Sequence, residues 1–165
     1  MKPSILFIFI LAFFVGCSNA GKNDKANTAL VENYIQAVEN LDFDAMTEYL
    51  DDSYQGLGPS HDDSTTKTEA VENWKYNVEN LYESIKYRDS RTIAITENEG
   101  VNKGEWVLNW AELEIKYKDS NTPIVIYANT IYLVENGKIV KSHTFYNEAD
   151  VLEQMGFLFV NPDDL

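Results

Sequence analysis

The hydrophobic period of this chain changes from 3.6 to 2 near residue 85, which restricts it to folds that complete their helices before their sheet. Over residues 28–40, Leu30, Val31, Tyr34, Ile35, Ala37 and Val38 recur with helical spacing, and Thr28 is placed to cap the helix. A second short helix, 43–50, puts Phe43, Met46, Tyr49 and Leu50 on one side behind Asp42 as N-cap. Gly56, Gly58 and Pro59 then break the chain, and His61 to Thr66 reads as a polar loop. A third helix is predicted over 67–84, through Ala70, Val71, Trp74, Val78, Leu81 and Tyr82. Alternation by two follows over 87–97, 104–118, 123–135 and 138–147. The Asn136-Gly137 pair is a hairpin signal. A short helix at 148–155 and the apolar run Phe157-Leu158-Phe159-Val160 end the pattern. Helices first and antiparallel strands afterwards predict an α+β domain, with helices laid on one face of a curved sheet.

The N-terminus carries a different message. Lys2, the apolar residues 5–15 and the small Gly16 follow signal-peptide grammar. That apolar run is too short to cross a hydrocarbon layer of roughly 30 Å. Cys17, the only cysteine, closes it in Phe14-Val15-Gly16-Cys17-Ser18, which resembles a bacterial lipobox. The expected organisation is a lipoprotein signal peptide at 1–16, a flexible tether at 17–26 bearing lipid on Cys17, and one domain at 27–165. The alternative is an ordinary secretory signal cleaved near Ala20. Each buried CH₂ contributes about 0.8 kcal/mol, and two or more acyl chains anchor stably. The bilayer is then a partner, and the expected location is the bacterial cell envelope, most simply facing the periplasm. With its one thiol acylated, the chain has no intrachain disulfide.

Composition excludes some functions. A net charge of −14 with no basic patch disfavours nucleic acid. Two distant histidines and a lone cysteine make no metal signature. Neither a phosphate-binding glycine loop nor a nucleophile elbow is present, so no cofactor is expected.

Two stretches are more specific. One is Tyr34-Ile35-Gln36-Ala37-Val38-Glu39-Asn40-Leu41-Asp42-Phe43-Asp44-Ala45-Met46, continued by Tyr49-Leu50-Asp51-Asp52; the other is Glu135-Asn136-Gly137-Lys138-Ile139-Val140. Their order resembles the SnoaL-like branch of the nuclear transport factor 2-like superfamily, over about residues 28–155. The resemblance implies a cone, a bent antiparallel sheet wrapped around N-terminal helices with a pocket between them. Members include isomerases, cyclases, epoxide hydrolases, dehydratases and non-catalytic binding domains. Compared with the steroid-isomerase branch, the oxyanion-holding tyrosine falls on Tyr34 and the oxyanion aspartate on Asn129. The proton-moving aspartate falls on Gly58, and the acid of the cyclase branch on Thr144. Two donors persist while the base is missing.

If Asn129 faces the cavity, then so do Tyr127 and Ile131, and by the same count Ser142, Thr144 and Tyr146. Ile126, Ala128, Tyr132, His143 and Phe145 then face outward, as do Val107, Ala111, Leu113 and Ile115. An outer face this apolar needs a cover. A second protomer is expected there, making a homodimer, with residues 157–160 as the rival. The expected function is binding of a small, partly apolar ligand rather than turnover. Tyr34 and Asn129 are its anchors, Trp74, Trp106 and Trp110 its apolar walls, and Tyr127 and Tyr146 further lining. One alternative is an isomerase, cyclase or hydrolase of a small carbonyl compound, with Glu112 as base. The other is a protein-interaction module that uses the outer sheet face, with the cone filled by its own side chains.

Overall fold

The computed structural model describes residues 20–161, so the readings of residues 1–16 and Cys17 lie outside the described residues. Helix α1, Ala20–Glu39, buries the predicted stripe of Val31, Tyr34, Ile35, Ala37 and Val38. It starts well before Thr28, and residues 20–26, expected as part of a flexible tether, are helical. The cause is polar docking rather than an apolar face. Asn23 and Asn27 donate through Nδ2 to the two carboxylate oxygens of Glu105, at 2.6 and 2.7 Å, and Thr96 hydrogen-bonds Asp24. Helix α2, Phe43–Tyr49, is capped by Asp42, whose Oδ1 accepts from the Ala45 N–H at 2.9 Å.

The chain then forms two strands that the sequence reading did not anticipate, β1 (Leu50–Leu57) and β2 (Ser64–Thr66). Helix α3, Lys67–Asn80, opens on a reciprocal capping box between Thr66 and Glu69. It stops short of residue 84. The Lys118 ammonium takes the terminal carbonyls of Val78 and Glu79, and the chain turns into β3 at Tyr82. Strands β3 (Tyr82–Glu97), β4 (Gly104–Tyr117), β5 (Ile124–Glu135) and β6 (Lys138–Tyr146) follow, then a short helix α4, Glu148–Gln154.

One six-stranded sheet results, in the order β2-β1-β6-β5-β4-β3. It is mixed rather than wholly antiparallel, because β1 lies parallel to β6. Together with the N-terminal helices this is the expected α+β architecture. The core lies between α1 and the sheet, where Val31, Val38, Val107, Val134 and Ile139 are fully buried.

Two irregularities decide which side chains face inward. In β6 the register slips at the start of the hairpin, from Val134↔Ile139 to Leu133↔Lys141. A regular two-residue hairpin would pair Asn129 with Thr144. The slip pairs Thr144 with Thr130 and Asn129 with Phe145. Ser142, Thr144 and Tyr146 therefore face inward as expected, and His143 and Phe145 outward, while β5 presents the opposite set. Ile126, Ala128, Thr130 and Tyr132 point in; Tyr127, Asn129 and Ile131 point out. On β4, Val107, Ala111, Leu113 and Ile115, expected outside, also lie on the inner face. In β3 a second bulge falls between Arg88 and Arg91, where Asp89 adopts φ +48°.

The outer face remains apolar after this reassignment. Ile93, Ile95, Trp110, Tyr127 and Phe145 are exposed on it. Residues 157–160 do not cover it, since all four are themselves exposed.

Candidate functional site

The concave face of the sheet, α1, α3 and Val151 of α4 enclose a cavity of about 240 Å³. Tyr34 enters it from α1, Trp74 from α3, Tyr54 from β1 and Tyr82 and Tyr87 from β3. Strand β4 contributes Asn109 and Tyr117, β5 contributes Thr130 and Tyr132, and β6 contributes Ser142, Thr144 and Tyr146. Alternation along each strand carries these groups inward. No lining residue bears a carboxylate, imidazole, ammonium or guanidinium group. The site is uncharged and lined with hydroxyls.

Some of these hydroxyls are engaged with each other. Tyr54 Oη and Ser142 Oγ lie 2.7 Å apart, and the Thr130 and Thr144 hydroxyls 3.1 Å apart. Tyr34 is held by edge-on contacts with Tyr49 and Tyr132, at ring separations of 6.2 and 5.9 Å. The Tyr34 and Tyr87 hydroxyls make no hydrogen bond to any described residue. Because no fully buried polar side-chain atom of the described residues lacks a partner, both oxygens open into the cavity.

Burial raises the pKa of Tyr34, Tyr87 and Tyr132 above the ordinary phenol value. Neighbouring phenols add to this at Tyr34 and Tyr132, and Glu39 adds at Tyr87. All three are therefore hydrogen-bond donors at neutral pH. The shift also sets a stability profile. A phenol whose folded pKa is raised binds its proton more tightly in the folded state, so its contribution is complete below about pH 10 and is lost above it. We expect a flat urea midpoint from pH 7 to 9 and a steepening fall above 10, about 1.4 kcal/mol per pH unit for each such group. Tyrosinate absorbance from these residues should rise together with loss of structure; ionisation of every tyrosine in the folded chain would contradict the burial.

Of the side chains expected in the site, Tyr34, Trp74 and Tyr146 line the cavity, and five do not. Asn129, Tyr127, Trp110 and Glu112 lie in a separate groove on the outer face, beside Phe145 and Arg91. Trp106 lies on the same outer face with Leu108 and Ile131, and its indole N–H donates to the Asn102 carbonyl at 2.7 Å. Glu112 stands opposite Tyr127 and Arg88 in the sheet and is not available as a base inside the cone. His61 is exposed beside Asp62, and His143 stacks on Phe145 on the outer face. Gly58 leaves no room for a side chain, since an added Cβ would sit 2.3 Å from the Thr144 carbonyl oxygen.

The sequence reading missed Tyr87 and Asn109. Asn109 had a readable signal, a lone amide in the apolar series Val107, Ala111, Leu113 and Ile115. Tyr87 had none, because its inward orientation depends on the β3 bulge.

No family model matches the chain, and no curated protein does. Solved structures do match. An isomerase proposed for Bacillus subtilis aligns with a TM-score of 0.63 at 12% identity, over 83% of this chain and 97% of that one. A proposed SnoaL-like polyketide cyclase from Shewanella denitrificans aligns at 0.63 and 11% identity, over 78% and 95%. An epoxide hydrolase of M. tuberculosis, similar to LEH, aligns at 0.60 and 12% identity, over 79% and 90%. These neighbours correct the expectation that the domain binds without turnover. The same fold occurs in a protein described as a hydrolase and in proteins assigned to isomerisation and cyclisation, so the missing base at Gly58 is no ground for a non-catalytic reading. The chain has the SnoaL-like, nuclear transport factor 2-like fold.

Proposed function

We propose that the chain is an enzyme acting on a small, neutral carbonyl or epoxide compound, by isomerisation, cyclisation or ring opening inside the cone. The observation that carries this reading is the pair of phenol hydroxyls of Tyr34 and Tyr87, which no described residue hydrogen-bonds and which open into a cavity whose described lining is uncharged. Donors fixed in a site shielded from bulk solvent strengthen as negative charge develops on a substrate oxygen, and they need no reorganisation to do so. With no carboxylate among the lining residues, the phenols supply electrophilic assistance, and proton acceptance falls to the substrate or to water. An open cavity disfavours the interaction-module alternative, which requires a filled cone. The test is turnover by the full chain of a panel of neutral enones, 1,3-diketones and epoxides. Conversion of at least one class, lost on heating, is the expected result; inertness toward all three overturns the reading.

The string Phe14-Val15-Gly16-Cys17-Ser18 supports a lipid-anchored envelope protein. Cys17→Ser should abolish fatty-acid labelling and release the chain from membranes; unchanged labelling would exclude Cys17 as the acceptor. The exposed apolar outer face supports a homodimer through β3 to β6, where about 800 Å² per partner would suffice. Phe145→Asp should then convert a dimer to a monomer in sedimentation, with little change in the unfolding midpoint of the monomer. A wild-type monomer at high concentration would exclude the dimer.

A further inference from the structure

Asn109 is 3% exposed, yet among the described residues only the nitrogen end of its side chain is paired. Its Nδ2 donates to Ser90 Oγ at 2.9 Å, to Thr92 Oγ1 at 3.0 Å and to the Arg91 carbonyl at 3.3 Å. A carbonyl can only accept, so the nitrogen end must face the β3 bulge and the oxygen end is turned away from it. No described residue donates to Oδ1. Since no fully buried polar side-chain atom of the described residues lacks a partner, and Asn109 lines the cavity, this oxygen opens into the cavity. The bulge between Arg88 and Arg91 thus acts as a clamp, fixing one amide with its acceptor aimed at the ligand.

We infer that Asn109 is a specificity-determining residue whose Oδ1 accepts a hydrogen bond from a hydroxyl or N–H of the ligand. The ligand is then a neutral molecule with a donor for Asn109 and an acceptor for the phenols, such as a hydroxylated ketone, aldehyde or epoxide. This rests on the cavity being a site for a neutral oxygen compound. A matched molecule lacking the donor leaves Asn109 desolvated and unpaired, which is how a buried polar group discriminates.

Three naphthalenes of similar size separate the contributions when titrated onto the full chain: 2-naphthol carries a donor, 2-naphthaldehyde only an acceptor, and 2-fluoronaphthalene neither. We expect 2-naphthol to bind about fivefold tighter than 2-fluoronaphthalene, the effect of one net hydrogen bond. Asn109→Leu should erase that preference and leave 2-naphthaldehyde unchanged. Asn109→Asp, measured at a pH where the acid keeps its proton, donates to the Arg91 carbonyl in place of Nδ2, keeps an oxygen toward the cavity, and should retain the preference. A merely structural role at the bulge predicts that both substitutions act alike and on all three probes. The inference is overturned if wild type shows no preference for 2-naphthol, if Asn109→Leu retains it, or if a folded Asn109→Asp loses it. The parent reading has its own readout, a loss of 2-naphthaldehyde affinity in Tyr34→Phe, and can fail while the Asn109 result stands. Failure of all three probes to bind overturns both.

Discussion

Gly58→Ala is expected to destabilise the protein by about 3–5 kcal/mol, summed from a strained backbone position and an overpacked contact. Gly58 has φ +90°, a conformation that costs an L-residue energy wherever it occurs. The added Cβ would also meet the Thr144 carbonyl oxygen at 2.3 Å and the His143 ring at 3.2 Å. The first of these is backbone near the end of β6 and cannot swing aside, because Thr144 is paired with Thr130 of β5. Relief would require parting β1 from β6, the one parallel seam in the sheet. Urea unfolding of the variant should show a lower midpoint with an unchanged slope. A loss under about 1 kcal/mol would mean that the seam opens easily. The same geometry bears on chemistry. The resemblance puts the proton-moving aspartate at this position, and Gly58→Asp would break the seam before it supplied a base. The absence of that base is fixed by packing, so any catalysis here must use other groups.

The parts of the fold written in local pattern were legible beforehand. The stripe from Val31 to Val38 announced α1, and Asn136-Gly137 announced the last hairpin. Strand β1 was not legible. Leu50-Asp51-Asp52-Ser53-Tyr54 is too polar to read as a strand, and the partners of β1, Ile139 for Leu50, Lys141 for Gln55 and Ser142 for Gly56, come from the far end of the chain. Nor were the faces of β5 legible. Both alternating sets in it are apolar, Ile126, Ala128 and Tyr132 against Tyr127, Ile131 and Leu133, so hydrophobicity could not choose between them. The choice was made by a one-residue slip in β6, which leaves no composition signal. Tyr34 was found because a helix face fixes direction from sequence alone. Asn129 was misplaced because a strand's direction depends on the register of its neighbour.

Tyr34→Phe is expected to lower kcat by about 10²–10³ on the neutral carbonyl or epoxide turned over, the usual effect of removing one oxyanion donor. Tyr87→Phe should act similarly, and the double variant should lose much less than the product of the two, because paired donors work as a unit. Stability separates this role from a structural one. The Tyr34 ring keeps its contacts with Tyr49 and Tyr132 in the variant, and its hydroxyl has no partner to orphan among the described residues. The unfolding midpoint should therefore hold or rise slightly. Tyr54→Phe is the contrasting case. It removes the same atom type from the same cavity but leaves the buried Ser142 hydroxyl without its partner at 2.7 Å, which costs about 1–3 kcal/mol. Tyr34→Phe should thus lose rate and keep stability, while Tyr54→Phe loses stability. If Tyr34→Phe unfolds readily while turning over at full rate, the hydroxyl is a core group and the proposed electrophile lies elsewhere. If it folds and its kcat falls at unchanged KM, the phenol acts on the transition state, since a group that only binds substrate would raise KM instead.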